Sequence, residues 1–416
     1  MSLRLRVPEN YSQFDFSFPL GAYGLSSGWP GTRDFTLSRE PDLAPRRLTA
    51  LVEVGSSVFV PIVNGEFQRT SSASHQNNFA FLCKVPPSQE NCKRGVPGLS
   101  SGGGSAIFKK DGRAYKLKRC GMGDKGFIPQ TTRNFSHVNQ DGECFEISTP
   151  IIGGLMELPA VLTECQMTNF MYSKGLARAY RPTGVIIIND SEELQYEGNQ
   201  LGAALIEIQS DLRMDELSYM TLSPMLADLF ASRKISYDGD KSFYNTTGLP
   251  LVETWRRWGR LFERLEVLGL CVGSAYRRLH DTGILRGLGS SWFGNEVIDA
   301  EGEISIADFD GGTEEASLYP RDVSERIKQM ELTQYCSMCY FYLGDNRPKS
   351  LGCFGAVLSE AVRQGYQQDY RPIPTSLIEE IINEHLAVYP VLREAFSFPA
   401  DTEWLDFYDE NERNGF

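Results

Sequence analysis

Apolar residues are spaced differently in successive parts of the chain. Over residues 1–95 Gly, Pro, Ser and aromatics dominate, and only 57–63 and 79–85 carry the apolar run of a strand. This part reads as a mostly β or irregular extension. From residue 98 the pattern sharpens. A glycine run, Gly98-Leu-Ser-Ser-Gly-Gly-Gly-Ser105, precedes a short strand at 106–109. Asp111-Gly112 marks a hairpin turn, since both residue types tolerate the positive φ that such turns demand. The strand returning over 113–119 has period two, so Ala114, Lys116 and Lys118 share one face. Residues 159–172 set Val161, Leu162 and Cys165 near helical spacing, with Gly175 as a stop. Apolar strands follow at 184–189 and 203–209, then a helical region at about 251–280 and a glycine-rich loop at 283–295. Two short strands, 297–298 and 304–307, lead into a predominantly helical remainder from 322. A β-rich half followed by a helix-rich half predicts an α+β, two-lobed molecule.

Composition narrows the chemistry. The chain has 416 residues and a net charge of −13, from 41 basic and 54 acidic side chains. That balance argues against general affinity for nucleic acid, which needs clustered Lys and Arg. Arg256, Arg257, Arg260 and Arg264 read as the solvated face of a helix. No stretch approaches the roughly 18 apolar residues of a membrane span, and the N-terminus lacks a signal-peptide core. A cytosolic protein is expected. Of nine cysteines only Cys336 and Cys339 form a C-x-x-C; in aromatic, helical surroundings they read as buried small hydrophobes. The four histidines fit no metal-ligand spacing.

Holding a triphosphate requires backbone donors, a cation and oxygen ligands for a metal. The chain offers these in order: Gly102, Gly103, Gly104 and Ser105, then Lys116, then Asn295 and Asp308. Asn295 and Asp308 flank a short hairpin, so their thirteen-residue separation can bring both side chains to one end of the ladder. An amide oxygen and a carboxylate together suit Mg²⁺, a hard cation that keeps waters and binds phosphate. Each residue also has a plainer reading, as loop glycine, solvent-facing lysine, turn asparagine or loop cap.

The segments Leu279-His-Asp-Thr-Gly-Ile-Leu-Arg-Gly287, Trp292-Phe-Gly-Asn295 and Ile306-Ala-Asp-Phe-Asp-Gly-Gly312 resemble the protein-kinase-like superfamily. Among its branches they look most like the aminoglycoside phosphotransferases, with their "LHxxGxxHGDLHPGN…DFD" pattern. The resemblance implies a β-rich N-lobe at 96–207 and a helical C-lobe at 208–416, with 1–95 as an extension. ATP and Mg²⁺ would lie between the lobes, with Asn295 and Asp308 as metal ligands. Ala114-Tyr115-Lys116 matches the A-x-K of the phosphate-steadying lysine, and Glu164, preferred over Glu157, matches its glutamate partner. Leu205-Ile-Glu-Ile-Gln209, followed by Leu212 and Asp215-Glu-Leu217, resembles the hinge, so Glu207, Ile208 and Gln209 would meet adenine.

One departure stands out. Where the family carries an aspartate that orients the accepting hydroxyl, this chain reads Arg286-Gly287-Leu288, or Ser290 if aligned back from Asn295 without a gap. Neither leucine nor serine replaces a carboxylate base. Asp281 and Asp310 are the acidic neighbours, Asp281 at the end of a helix and Asp310 two residues past Asp308. The implied activity is an atypical ATP-dependent phosphotransferase using Lys116, Glu164, Asp308 and Asp310, on a small-molecule or protein acceptor. Transfer of AMP, activation of a carboxylate, or a nucleotide-bound pseudokinase scaffold remain open alternatives.

Overall fold

The computed structural model describes residues 2–4, 6, 9, 17–19, 48–53, 56–68, 82–85, 95–101, 104–121, 129–139, 143–152, 154–189, 200–211, 213–214, 251–287, 295–299, 301–309, 313–344, 352–371, 373–374 and 376. Strands β1 (Ser2–Arg4) and β2 (Ser17–Pro19) form a separate antiparallel pair. The main body is a ten-stranded antiparallel sheet. From the N-terminal part come β3 (Leu48–Glu53), β4 (Ser56–Val63), β5 (Glu66–Phe67) and β6 (Leu82–Val85). Next is a meander of β7 (Val96–Ser100), β8 (Ser105–Lys110) and β9 (Arg113–Lys118). A separate long hairpin, β10 (Pro129–Val138) with β11 (Cys144–Ile152), interrupts the path. Then come β12 (Met156–Glu157), helix α1 (Leu158–Ser173), β13 (Tyr180–Asn189) and β14 (Leu201–Ile208).

The strand order is β5-β4-β13-β14-β9-β8-β7-β3-β6, with β12 beside β14. The apolar run Leu201–Ile206 of β14 fits a strand with an apolar cluster on each face. Leu201, Ala203 and Leu205 join Leu51, Phe108, Leu117 and Ile186 in one cluster. Ala204, Ile206 and Ile208 join Ile107, Val161 and Cys165 in another.

The strands next to the two ends of this sheet, β4 and β3, are nearly adjacent in the chain. Glu53 ends β3 and Ser56 begins β4, and three residues span at most about 11 Å. The circuit from β4 through β13, β14, β9, β8 and β7 to β3 therefore curls back on itself around the first cluster. Leu51 from β3 and Phe59 from β4 both pack there. Strands from the segment set apart as an extension thus belong to the central sheet.

The helical half holds α2 (Leu251–Asp281), α3 (Arg321–Gly344) and α4 (Gly352–Tyr366). The side chains of Arg256, Arg257 and Arg260 lie outside the described residues. Between α2 and α3 come two short pairs: β15 (Ile284–Leu285) with β18 (Glu314–Glu315), and β16 (Glu296–Ile298) with β17 (Ile304–Ile306). Helices α2 and α4 approach until backbone meets backbone. A Cβ on Gly269 would lie 2.6 Å from the Ala361 Cβ, and one on Gly273 would overlap the Val362 carbonyl oxygen. Cys336 and Cys339 are buried in α3, and burial pushes the Cys336 thiol up to about 12. No helix among the described residues is long and apolar enough to cross a membrane.

A buried polar junction ties the three helices together. His280 of α2 meets the Tyr366 hydroxyl through Nδ1 at 2.7 Å and Glu331 of α3 through Nε2 at 2.9 Å. Glu331 also accepts the main-chain N–H groups of Arg286 at 3.2 Å and Gly287 at 2.8 Å. The Glu296 carboxylate accepts hydroxyls from Tyr276 at 3.0 Å and Tyr335 at 2.9 Å, with the Arg286 guanidinium 3.5 Å away.

The close crossing of α2 and α4 gives the first prediction. Gly273→Ala should lower the unfolding free energy by about 1–3 kcal/mol, the usual cost of forcing a methyl into a packed contact. Urea denaturation measures it, and an unchanged midpoint would mean that the helices do not touch through this glycine.

Candidate functional site

The lysine face of β9 looks toward α1 and the β16–β17 hairpin. On it the Lys118 ammonium donates to Glu164 Oε1 and to Asp308 Oδ1. Three separate elements deliver these groups. Period two places Lys118 on this face. Glu164 lies on the buried stripe of α1 with Val161, Cys165, Thr168 and Met171. Asp308 follows β17 with φ at 68°, a left-handed conformation sparsely used by residues other than glycine and often found at functional sites.

Burial alone would push the Asp308 carboxyl up. The Lys118, Arg119 and Arg213 cations outweigh it and hold the group well below the usual carboxylate range. Asp308 is thereby kept ionised, with 26% of its side chain exposed. The hairpin brings Asn295 to the same end, its main-chain oxygen accepting the Ala307 N–H at 2.8 Å. Its side-chain oxygen accepts from Arg213 Nη1 at 3.4 Å.

Gly104 and Ser105, the last residues of the glycine run, lie at this end of the sheet too. Ser105 stands opposite Lys118 in the β8–β9 ladder. The Gly104 oxygen accepts the Cys120 N–H at 2.8 Å, and a Cβ on Gly104 would lie 2.7 Å from the Gly154 oxygen. Gly102 and Gly103 lie outside the described residues.

Lys116 does something other than the sequence register suggests. Its ammonium is 2.9 Å from Asp211 Oδ1 and 3.4 Å from the Tyr180 hydroxyl. The lysine that meets Glu164 is Lys118, two residues beyond the lysine of the A-x-K reading, and Ala114 lies near the far end of the strand opposite Lys109 and Ile208. Both lysines share a face, and only the ladder with Ser105 and the approach of α1 tell them apart. Glu164 reaches this lysine, whereas Glu157 stands at the N-cap position of α1, where its side chain makes no capping hydrogen bond.

The residues read as the hinge lie at and just after the end of β14. Glu207 and Ile208 lie within the sheet, each with a partner on β13 and on β9. The Gln209 N–H already donates to the Ala179 oxygen at 3.0 Å. The Glu207 carboxylate sits between Arg113 at 3.5 Å and Arg181 at 3.6 Å, on the face opposite the lysines. Leu212 and residues 215–217 lie outside the described residues.

At the start of the atypical loop, Arg286 is fully buried and donates to the Ala307 oxygen and, at 3.4 Å, to the Tyr276 hydroxyl. Its ring contacts include Phe309 at 5.8 Å. Asp281 is exposed and paired with Arg277 at 2.9 Å on the helix surface, which removes it from the site. Asp310 and residues 288–294, including Leu288 and Ser290, lie outside the described residues. Among the described residues no group of three or more His, Cys, Asp and Glu is placed to hold a metal.

Sequence reasoning missed Ser101, Tyr180, Asp211 and Arg213. The available signal was Ser210-Asp-Leu-Arg213, charged residues immediately after the strand Leu201–Ile208.

No protein-family model matches this chain, and no curated protein matches it. Among solved structures it is similar to one described as the crystal structure of a Toxoplasma gondii specific rhoptry antigen kinase domain. Identity is 12% and the TM-score 0.28, over 67% of this chain and 85% of that one.

Two predictions follow from the paired lysines. Burial, with help from Arg213 and against the pull of Asp211, lowers Lys116 from its ordinary value to about 7. The unfolded chain then binds more protons than the folded one from about pH 7 to 10, so this group makes stability rise with pH across that window. Urea titrations at pH 7, 8 and 9 should show that rise in the wild type and a flatter profile in Lys116→Met; parallel profiles would contradict it. Asp308 is linked with the same sign, in an acidic window. Its contribution is present above the unfolded carboxyl value of about 3.9 and is lost as pH falls through the lower folded value. Asp308→Asn should therefore narrow the stability gained between pH 3 and 6, read by the same titration, and an unaltered gain would refute the depressed carboxyl.

Proposed function

We propose that this chain is a kinase-like, two-lobed protein that holds the phosphates of a ligand, with Mg²⁺, where the sheet meets the helical half. The observation carrying this reading is the contact of Lys118 with both Glu164 and Asp308. Phosphoryl-transfer sites of the kinase type use a strand lysine paired with a helix glutamate, beside a metal-binding aspartate. The same three residue types meet here, on a central strand, the helix that follows it and the end of a hairpin.

The donor set fits Mg²⁺. Asp308 offers an ionised oxygen and Asn295 an amide oxygen at one end of the β16–β17 hairpin, and two protein ligands suffice for a cation that keeps its waters and binds phosphate. When bound, the ion would supply positive charge for phosphate oxygens. Lys118 would then turn its ammonium from Asp308 toward the phosphates while Glu164 holds its position. Ser105 and Gly104 place main-chain groups beside it.

Phosphoryl transfer from ATP, which the family resemblance implies, would rest on this positioning and charge. At Arg286 and Gly287 the loop start supplies no carboxylate, and Glu331 holds their N–H groups. A second reading, a scaffold that signals by shape, is favoured by the ion pair that fills the lysine face beyond Lys118. The acceptor is unassigned.

The test is thermal. Mg²⁺ with tripolyphosphate or ATP, at about 100 times Kd, should stabilise the protein by about 2.7 kcal/mol, because only the native state binds. Lys118→Met and Asp308→Ala should each abolish the shift while remaining folded. A full shift in both variants would place the site elsewhere.

A further inference from the structure

We infer that Lys116 and Asp211 form a bolt closing the end of this site beside the C-terminus of β14, so that it takes phosphate groups and excludes a nucleoside base. The inference rests on the phosphate site proposed above and specifies the ligand class that site accepts. With phosphates at Lys118 beside Gly104 and Ser105, a ligand extending along β9 toward the C-terminal end of β14 runs toward Lys116. That residue is two positions on and about 7 Å away, on the same face.

There is no room for a planar ring there. Lys116, Asp211, Ser101 and Tyr180 are each at most 3% exposed. Asp211 holds the Lys116 ammonium at 2.9 Å through one oxygen, which also accepts the Tyr180 hydroxyl, and takes the Ser101 hydroxyl at 2.6 Å through the other. The flanking walls are the apolar ones a base would want, Ile107 and Ile206, the ladder partners of Lys116. The space between them belongs to an ammonium and a carboxylate. Nor is an edge-on donor free at Gln209, whose N–H is given to Ala179.

Admitting a base would part the pair and leave a buried carboxylate without its cation, a penalty that base stacking does not offset. The bolt is also joined to the metal end. Arg213 lies 3.7 Å from Asp211 Oδ1 and donates to the Asn295 side chain. One polar seam therefore runs from the closed end, through Asp211 and Arg213, to the oxygen proposed to face the cation.

The experiment is calorimetric titration of the full chain in Mg²⁺ with tripolyphosphate, ATP and adenosine. In the wild type ATP should bind within about 3-fold of tripolyphosphate, and adenosine not at all at millimolar concentration. The double variant Lys116→Ala/Asp211→Asn removes the charges and opens space; it should gain at least about 10-fold for ATP over tripolyphosphate and bind adenosine measurably. Wild-type adenosine binding, an ATP preference of about 10-fold or more, or a folded double variant with no gain would each overturn the bolt. If the wild type binds neither phosphate ligand, the phosphate-site reading fails, while adenosine binding gained by the variant still supports the closure. Should the double variant not fold, the wild-type titrations decide: silence with adenosine and no ATP preference support closure, and either signal overturns it.

Discussion

An ammonium group leaves water only where anions stand close by, and Lys118 finds two of them on distant parts of the chain. Glu164 is 46 residues away and Asp308 is 190. To satisfy one buried cation, the sheet, α1 and the β16–β17 hairpin must keep fixed positions relative to one another. The apolar contacts serve the same end. Val161 and Cys165 from α1, Ile107 and Ile206 from the sheet, and Val297 and Ala307 from the hairpin segment share one cluster. The charged cluster therefore lies on a dry seam, where its interactions are stronger than at the surface.

The helical half treats its own buried charges in the same way. Arg286, Glu296 and Glu331 are almost completely excluded from water, and Tyr276, Tyr335, Tyr366 and His280 supply the remaining polar contacts. Arg286 links the two networks, since its guanidinium holds the carbonyl of Ala307, the residue before Asp308. The left-handed backbone of Asp308 is thus fixed from both sides, by its carboxylate on Lys118 and by the anchored peptide preceding it. Removing a single partner from such a network leaves an uncompensated charge, which costs far more than the intact pair contributes.

Local patterns were legible in the sequence. The hairpin bearing Asn295 and Asp308, the turn at Asp111-Gly112 and the helix carrying Glu164 all follow from spacing within a few residues. Long-range choices were not. Period two put Lys116 and Lys118 on one face, and only the register against Ser105 and the approach of α1 separate them. An apolar strand end and a connecting hinge look alike until the neighbouring strands are in place, and Glu207 and Ile208 prove to lie within β14. Asp211 resembles a loop residue until its cation is found on β9. The curling of the sheet depends on strands more than a hundred residues apart, β4 beside β13, and no window of sequence contains both.

The most direct measurement of the central claim is a crystal structure with Mn²⁺ and tripolyphosphate, located by anomalous scattering. The account predicts manganese between Asp308 and Asn295, a phosphate oxygen on the Lys118 ammonium with Glu164 still attached, and an unbroken Lys116–Asp211 pair. Manganese bound elsewhere, or phosphate seated on Lys116 with Lys118 unmoved, would contradict it.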